Sequence, residues 1–229
     1  MSTTAAPSQA QRLALFYREY VGKKIAMALS GVVLFGFTVG HMAGNLQVFM
    51  GRERINAYAE TLHSSSGLLW TVRGVLLLAV VVHAYTGIWL WKQSRDARPS
   101  RYHKNGQRHP NLAGRTMALS GVVLAAFIVF HLLHLTGGTF NPYLPFEDLR
   151  PYENMVAGFR YPAVALFYVV AVFMLGLHIF HGAWSMFQSV GISHPRFTPS
   201  IRRFAATFAL VLAVGFSSVP LAILFGLVG

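Results

Sequence analysis

Long stretches without a single charge constrain this chain more than any other feature. Ile25 to Gly51, Thr116 to Phe146, Tyr161 to Pro195 and Phe204 to Gly229 contain no Asp, Glu, Lys or Arg. Gly74 to Trp91 is a fifth, shorter gap, which extends upstream to Leu68 past Arg73. A hydrocarbon core about 30 Å thick is crossed by about 20 helical residues. All five stretches meet that length. Backbone polar groups in lipid must be satisfied within the segment, which makes these stretches helices. The predicted spans are 25–49, 68–92, 115–138, 160–189 and 204–227.

Composition excludes several other classes. Hydrophobic residues make up 54% of the chain and charged residues 11%, against roughly 25% charged in soluble domains. A water-soluble globular enzyme is therefore not expected. Cysteine is absent, which removes disulfides, thiolate zinc sites, thiolate iron–sulfur ligation and covalent c-type haem attachment. Ten histidines and eight methionines remain as soft metal ligands. In a soluble chain the net charge of +12 would point to nucleic acid. In an apolar chain it reads as a topology signal, and no nucleic-acid partner is expected.

The basic residues are unevenly placed. Arg12, Arg18, Lys23, Lys24, Lys92, Arg95, Arg98, Arg101, Lys104, Arg108, Arg115, Arg196, Arg202 and Arg203 share one side, fourteen of the nineteen. Arg52, Arg54, Arg73, Arg150 and Arg160 share the other with most of the acids. The positive-inside rule then puts the N-terminus in the cytoplasm and the C-terminus outside, with a basic cytoplasmic loop at 92–115. Residues 1–24 read as a polar cytoplasmic segment without a cleavage site. Residues 25–229 read as one five-helix transmembrane domain.

An internal repeat organises the histidines. Met27-Ala-Leu-Ser-Gly-Val-Val-Leu34 recurs letter for letter at Met117–Leu124, an offset of 90 that aligns His41 with His131. His83-x-x-x-Gly87-x-Trp89-x-x-x-Gln93-Ser94 recurs from His178 to Ser189, an offset of 95. The first two helices thus match the next two, each carrying one histidine. Counting from the charged boundaries places His41 and His131 about 25 Å from the inner end, and His83 and His178 about 15 Å from it. The result is an outer pair and an inner pair, about 10 Å apart.

Histidine inside a lipid-embedded helix is costly and its default reading is functional. The bland alternative is an interhelical hydrogen bond. Four histidines paired by depth and by repeat favour bis-histidine haem ligation in a four-helix bundle, with the fifth helix peripheral. Gly36, Gly40 and Gly44 stripe the first helix near His41, suiting either close cofactor approach or plain helix packing. His134 and His181 each follow a proposed ligand by three residues but have no histidine counterpart in the repeat. They read as groups supporting the ligands or lining a quinone pocket. His63, His103, His109 and His194 lie in loops and are expected to be solvated.

His41-Met-Ala-Gly-Asn-Leu-Gln47, Phe130-His-Leu-Leu-His-Leu-Thr136 and His178-x-x-His-Gly-Ala-Trp-Ser-Met-Phe-Gln-Ser-x-Gly191 resemble the di-haem cytochrome b membrane subunit of succinate dehydrogenase and fumarate reductase, in its single-chain, five-helix form. The resemblance runs from about Tyr17 to the last helix. It implies two b haems, with His41, His83, His131 and His178 as axial ligands to iron, and a quinone site. It also implies a flavoprotein subunit and an iron–sulfur subunit on the cytoplasmic face of a bacterial inner membrane. Succinate would be oxidised in the flavoprotein, with this chain carrying electrons onward. A quinone site on the outer side would suit menaquinone. Glu60, before the second span, is the candidate proton group there, together with His134 and His181. Some relatives carry an acid two positions before the fourth ligand; here Gly176 stands in that place. Two alternatives stay open: a fumarate reductase anchor, and a di-haem cytochrome b of another respiratory dehydrogenase.

Overall fold

The computed structural model describes residues 8–9, 20–97, 112–139, 146–189, 191–192 and 194–229. Most of the N-terminal segment, with Arg12 and Arg18, lies outside them. So does most of the basic loop, with Arg98, Arg101, Lys104 and Arg108 and with His103 and His109. Among the described residues there are helices and no strand.

Helix α1 spans Tyr20–Asn45 and runs into a 3₁₀ turn at Leu46–Met50. Gly51 stops it with φ 99°, a backbone conformation that side chains with a Cβ resist. There follow α2 (Arg52–His63), α3 (Ser66–Asp96), the single turn α4 (Leu112–Arg115) and α5 (Met117–Leu135). The chain continues as α6 (Pro151–Phe159), α7 (Pro162–Ser189) and α8 (Thr198–Leu224). Proline opens α6 and lies in the first turn of α8, where its missing N–H breaks no helical hydrogen bond.

Five helices are long and apolar enough to cross a membrane: Val21–Met50, Ser66–Asp96, Met117–Leu135, Pro162–Ser189 and Thr198–Leu224. The protein is an all-α, multi-pass membrane protein. Large apolar side chains stand exposed along these helices, among them Val32, Leu77, Val122, Val170 and Leu210. In water such a surface would aggregate; in lipid tails it meets its own kind. The helix ends differ from the predicted spans by a few residues, since capping geometry and not charge terminates them. Thus α3 continues through Lys92 to Asp96.

Four of the long helices form a bundle. Helix α1 packs along α3, and α5 packs along α7. Helix α7 also touches α1, whereas α3 touches α5 only sparsely. The diagonals of the bundle are therefore α1/α5 and α3/α7. Helix α8 lies outside this set, packed along α7 through Ala165, Ala171, Ala205 and Ala209, all buried. Small residues let the two backbones approach where no hydrophobic drive exists in lipid.

One end of the bundle is basic, with Lys23, Lys24, Lys92, Arg95, Arg115, Arg196, Arg202 and Arg203. Lys23 is buried and sits 4.1 Å above the Trp89 ring, and Arg202 sits 4.2 Å above Trp184. The two tryptophans are repeat equivalents, so the same cation–π contact closes both halves at this end. The other end is capped. The stretches 51–67 and 139–159, read as loops from sequence, contain α2 and α6, which pack on each other. Val48, Ile55, Met155, Val156, Phe159, Tyr168, Val219 and Ile223 form the core beneath them. Buried Asn56 joins the two helices: its Nδ2 donates to Glu153 Oε2 at 2.9 Å, and its Oδ1 accepts from the Tyr152 N–H at 3.2 Å.

Candidate functional site

The bundle brings the four repeat histidines together as two pairs, one on each diagonal. His41 of α1 and His131 of α5 have ring centroids 5.7 Å apart and nearly perpendicular planes, at 87°. His83 of α3 and His178 of α7 have centroids 6.0 Å apart at 58°. The first pair lies near the capped end, four residues before α1 and α5 finish. The second lies deeper, level with Ser30 on α1 and Ser120 on α5. Eleven residues separate those serines from His41 and His131, so the pairs are about 16 Å apart along the axis. That exceeds the spacing counted from charges, because the charged boundaries do not share one plane: His83 is nine residues from Lys92 yet level with Ser30, six residues from Lys24.

The deeper pair is held by a symmetric set of hydrogen bonds. Ser30 Oγ lies 3.4 Å from His83 Nδ1, and Ser120 Oγ lies 3.2 Å from His178 Nδ1. The serines are repeat equivalents. Ser120 Oγ donates to Met117 O at 2.9 Å, and Ser30 Oγ commits its proton to Ala26 O or Met27 O, at 2.8 and 3.0 Å. A hydroxyl has one proton, so each serine oxygen can only accept from the imidazole. His83 Nδ1 also faces Met27 O at 3.2 Å, which cannot donate. His83 is therefore the Nδ1–H tautomer, and His178 is the same with the Ser120 proton on Met117 O; Nε2 then keeps its lone pair on both. Gly31 makes room: a Cβ there would lie 3.4 Å from His83 Cε1.

The pair near the capped end is held differently. Phe37 stacks on His41 with centroids 5.2 Å apart, and Phe216 of α8 lies 5.9 Å away. His131 Nδ1 lies 3.3 Å from the Tyr168 hydroxyl. His134, one turn on, is 1% exposed, and its Nδ1 lies 2.9 Å from the same hydroxyl. His181 does not join a pair. Its Nδ1 is the one buried side-chain polar atom without a hydrogen-bond partner among the described residues.

The donor set fits haem iron better than a bare ion. Among the described residues no three or more His, Asp or Glu side chains gather to hold a metal ion. Two imidazoles make a poor cage for a free ion, but they complete an iron whose other four positions a macrocycle fills. Two metal–imidazole bonds of about 2.0 Å, with roughly 1.1 Å from each nitrogen to its ring centre, put axial-ligand centroids about 6 Å apart. Both observed spacings match this. Neutral imidazoles with an anchored Nδ1–H are also the form that ligates metals, since the second hydrogen bond fixes tautomer and orientation.

Glu60 falls elsewhere. It sits on α2 at the membrane-distal surface, half-exposed, with Oε1 3.5 Å from Arg150 Nη1. With Arg52, Glu53, Asn56, Ala57, Arg150 and Glu153 it lines a cleft of about 380 Å³. His63 and His194 are exposed. Of the glycine stripe, Gly44 packs against Tyr58, where a Cβ would lie 2.9 Å from the ring, while a Cβ at Gly36 or Gly40 would meet nothing within 4 Å.

Sequence reasoning missed Ser30, Ser120 and Tyr168. The serines were legible in principle, since they belong to the repeated octapeptide. Tyr168 carried no such signal, since its repeat equivalent is Arg73. Fold and site together define a multi-pass helical membrane protein with two histidine pairs across its bundle. Comparison with protein-family models, with curated proteins and with solved structures finds no match to this chain.

Proposed function

We propose that this chain is the di-haem cytochrome b anchor of a succinate:quinone oxidoreductase in a bacterial cytoplasmic membrane. The observation that carries this reading is the pairing of four repeat-related histidines, at ligand spacing, on the two diagonals of one helix bundle. By the positive-inside rule the basic end faces the cytoplasm. An iron–sulfur subunit and a flavoprotein subunit would dock there. Two b haems, held by His83/His178 and His41/His131, would supply one-electron transfer between that iron–sulfur subunit and a quinone.

The chain's own residues do the rest. Ser30 and Ser120 hold the inner imidazoles in the tautomer that presents Nε2. Phe37, Phe216 and Phe127 pack against the rings of His41 and His131. The α2–α6 cap closes the outer end over them. Quinone chemistry takes up or releases two protons for two electrons. Glu60, which lines the outer cleft with Glu53 and Glu153, would exchange them with water.

A dithionite-reduced minus air-oxidised spectrum of membranes expressing the chain tests the reading. A b-type α band, lost in a His83→Ala/His131→Ala double variant, supports it. A chain purified from its native membranes without haem overturns it. Co-purification of an iron–sulfur protein and a flavoprotein then separates this enzyme from other respiratory dehydrogenases.

A further inference from the structure

A polar group at the capped end is left over once the histidines are paired. Tyr168 of α7 is 5% exposed and His134 of α5 is 1% exposed. The Tyr168 hydroxyl stands between two imidazoles, 3.3 Å from Nδ1 of His131 and 2.9 Å from Nδ1 of His134. Phe127, Phe130 and Phe159 pack around the phenol with centroids 5.0, 6.0 and 4.8 Å away. Gly158 of α6 lies flat against the His134 ring, in a place a Cβ would share with Nε2 and Cε1. A buried chain of three polar side chains, sealed by aromatics and by a glycine, is costly unless every bond in it is made.

We propose that Tyr168 is a positioning residue for the outer haem iron, orienting His131 and setting how strongly it donates, with His134 as its second anchor. This rests on the reading of His131 as an axial ligand. Proton counting gives the direction of the chain. A ligating His131 binds through Nε2 and carries its proton on Nδ1, so it donates to the Tyr168 oxygen. The phenol has one proton and can both accept and donate. Its proton then goes to His134 Nδ1, the shorter of the two contacts. His134 is thereby the Nε2–H tautomer, so its Nδ1 lone pair is in use, and it is itself no ligand.

The consequence is an asymmetry between two sites built from one repeat. At the inner pair both rings lean on serine hydroxyls. At the outer pair one ring leans on a phenol polarised by a second histidine, and the other, His41, is surrounded by rings without a hydrogen bond among the described residues. A hydrogen bond from the distal N–H makes an imidazole a stronger donor, and a stronger axial donor lowers the iron potential. The Tyr168–His134 unit is thus a tuning device for one haem alone, and it exists only in the second half of the repeat.

Redox titration of the two spectral components in the full complex, with low-temperature EPR, tests this. Tyr168→Phe keeps the ring and removes the hydroxyl. The component assigned to His41/His131 is expected to move to higher potential with an altered EPR signal, while the His83/His178 component stays in place. His134→Leu is expected to move the same component in the same direction by less. If Tyr168→Phe leaves both components where they were, or moves them equally, the proposal is overturned. If Tyr168→Phe does not assemble, His134→Leu decides, and an unmoved outer component overturns the proposal. A wild-type complex without a b-type spectrum overturns the haem reading and this inference with it. A wild-type spectrum with an unmoved outer component overturns the inference alone.

Discussion

Ser120 Oγ lies 3.2 Å from His178 Nδ1 while its own proton is committed to Met117 O, 2.9 Å away. The hydroxyl is therefore a pure acceptor for the imidazole. Ser120→Ala would leave a buried Nδ1–H with nothing to donate to. Loss of such an outer partner costs about 10- to 100-fold in metal affinity. Haem titration of Ser120→Ala should show weakened binding at the His83/His178 component only, and Ser30→Ala a smaller weakening of the same component, since His83 Nδ1 keeps Met27 O at 3.2 Å. Equal weakening of both components would mean that the serines support the bundle in general.

Removal of a ligand should erase one component at a time. His41→Ala and His131→Ala are expected to lose the same component, and His83→Ala and His178→Ala the other. His181→Ala should retain both, since its Nδ1 contacts no partner. His134→Ala should also retain both, with the outer one shifted. Optical spectra at low temperature resolve the two. If the His41 and His178 variants lost a common component, the diagonal pairing would be wrong.

Asn56 ties α2 to α6 from a position only 2% exposed. Asn56→Leu leaves the Tyr152 N–H and a Glu153 oxygen without this partner. Both groups are only partly buried and Glu153 keeps Arg52, so the loss is expected at the low end, about 1 kcal/mol. Faster hydrogen exchange across α2 and α6, with the spans unaffected, is the expected result. Unaltered exchange there would show that the apolar core beneath carries the cap alone.

Glu60 pairs with Arg150 in the open, where such pairs contribute about 0–1 kcal/mol. Glu60→Gln should therefore leave thermal stability and both haem spectra as they are. Quinone turnover should slow by about 100-fold, the low end of a general acid–base contribution. Unchanged turnover would move the quinone chemistry away from the outer cleft.

Much of this architecture was legible because lipid makes simple demands. A charge-free stretch of about 20 residues has few other fates, and the repeat carried His41 onto His131 and His83 onto His178. The cap was not legible. Helix α2 reads Arg-Glu-Arg-Ile-Asn-Ala-Tyr-Ala-Glu from Arg52, polar enough to pass for a loop. Only Ile55 and Asn56 are buried in it. Helix α6 is short, and its buried run from Asn154 to Phe159 makes sense only against α2, α5, α7 and α8. Tyr168 was hidden for another reason. One more aromatic in an apolar helix is unremarked until two imidazoles from a different helix close on its hydroxyl.

Sparse contact between α3 and α5 bears on how the molecule is made. Chains fold from the N-terminus as they are synthesised, so two antiparallel hairpins enter the bilayer in turn. Helix α1 seats on α3 before α5 exists, and α5 then seats on α7. Helix α8, packed on α7, α1 and α6, comes last and fastens the halves side by side. A chain held at Ala97 would thus carry one half of a clasp, which α8 fastens to the other.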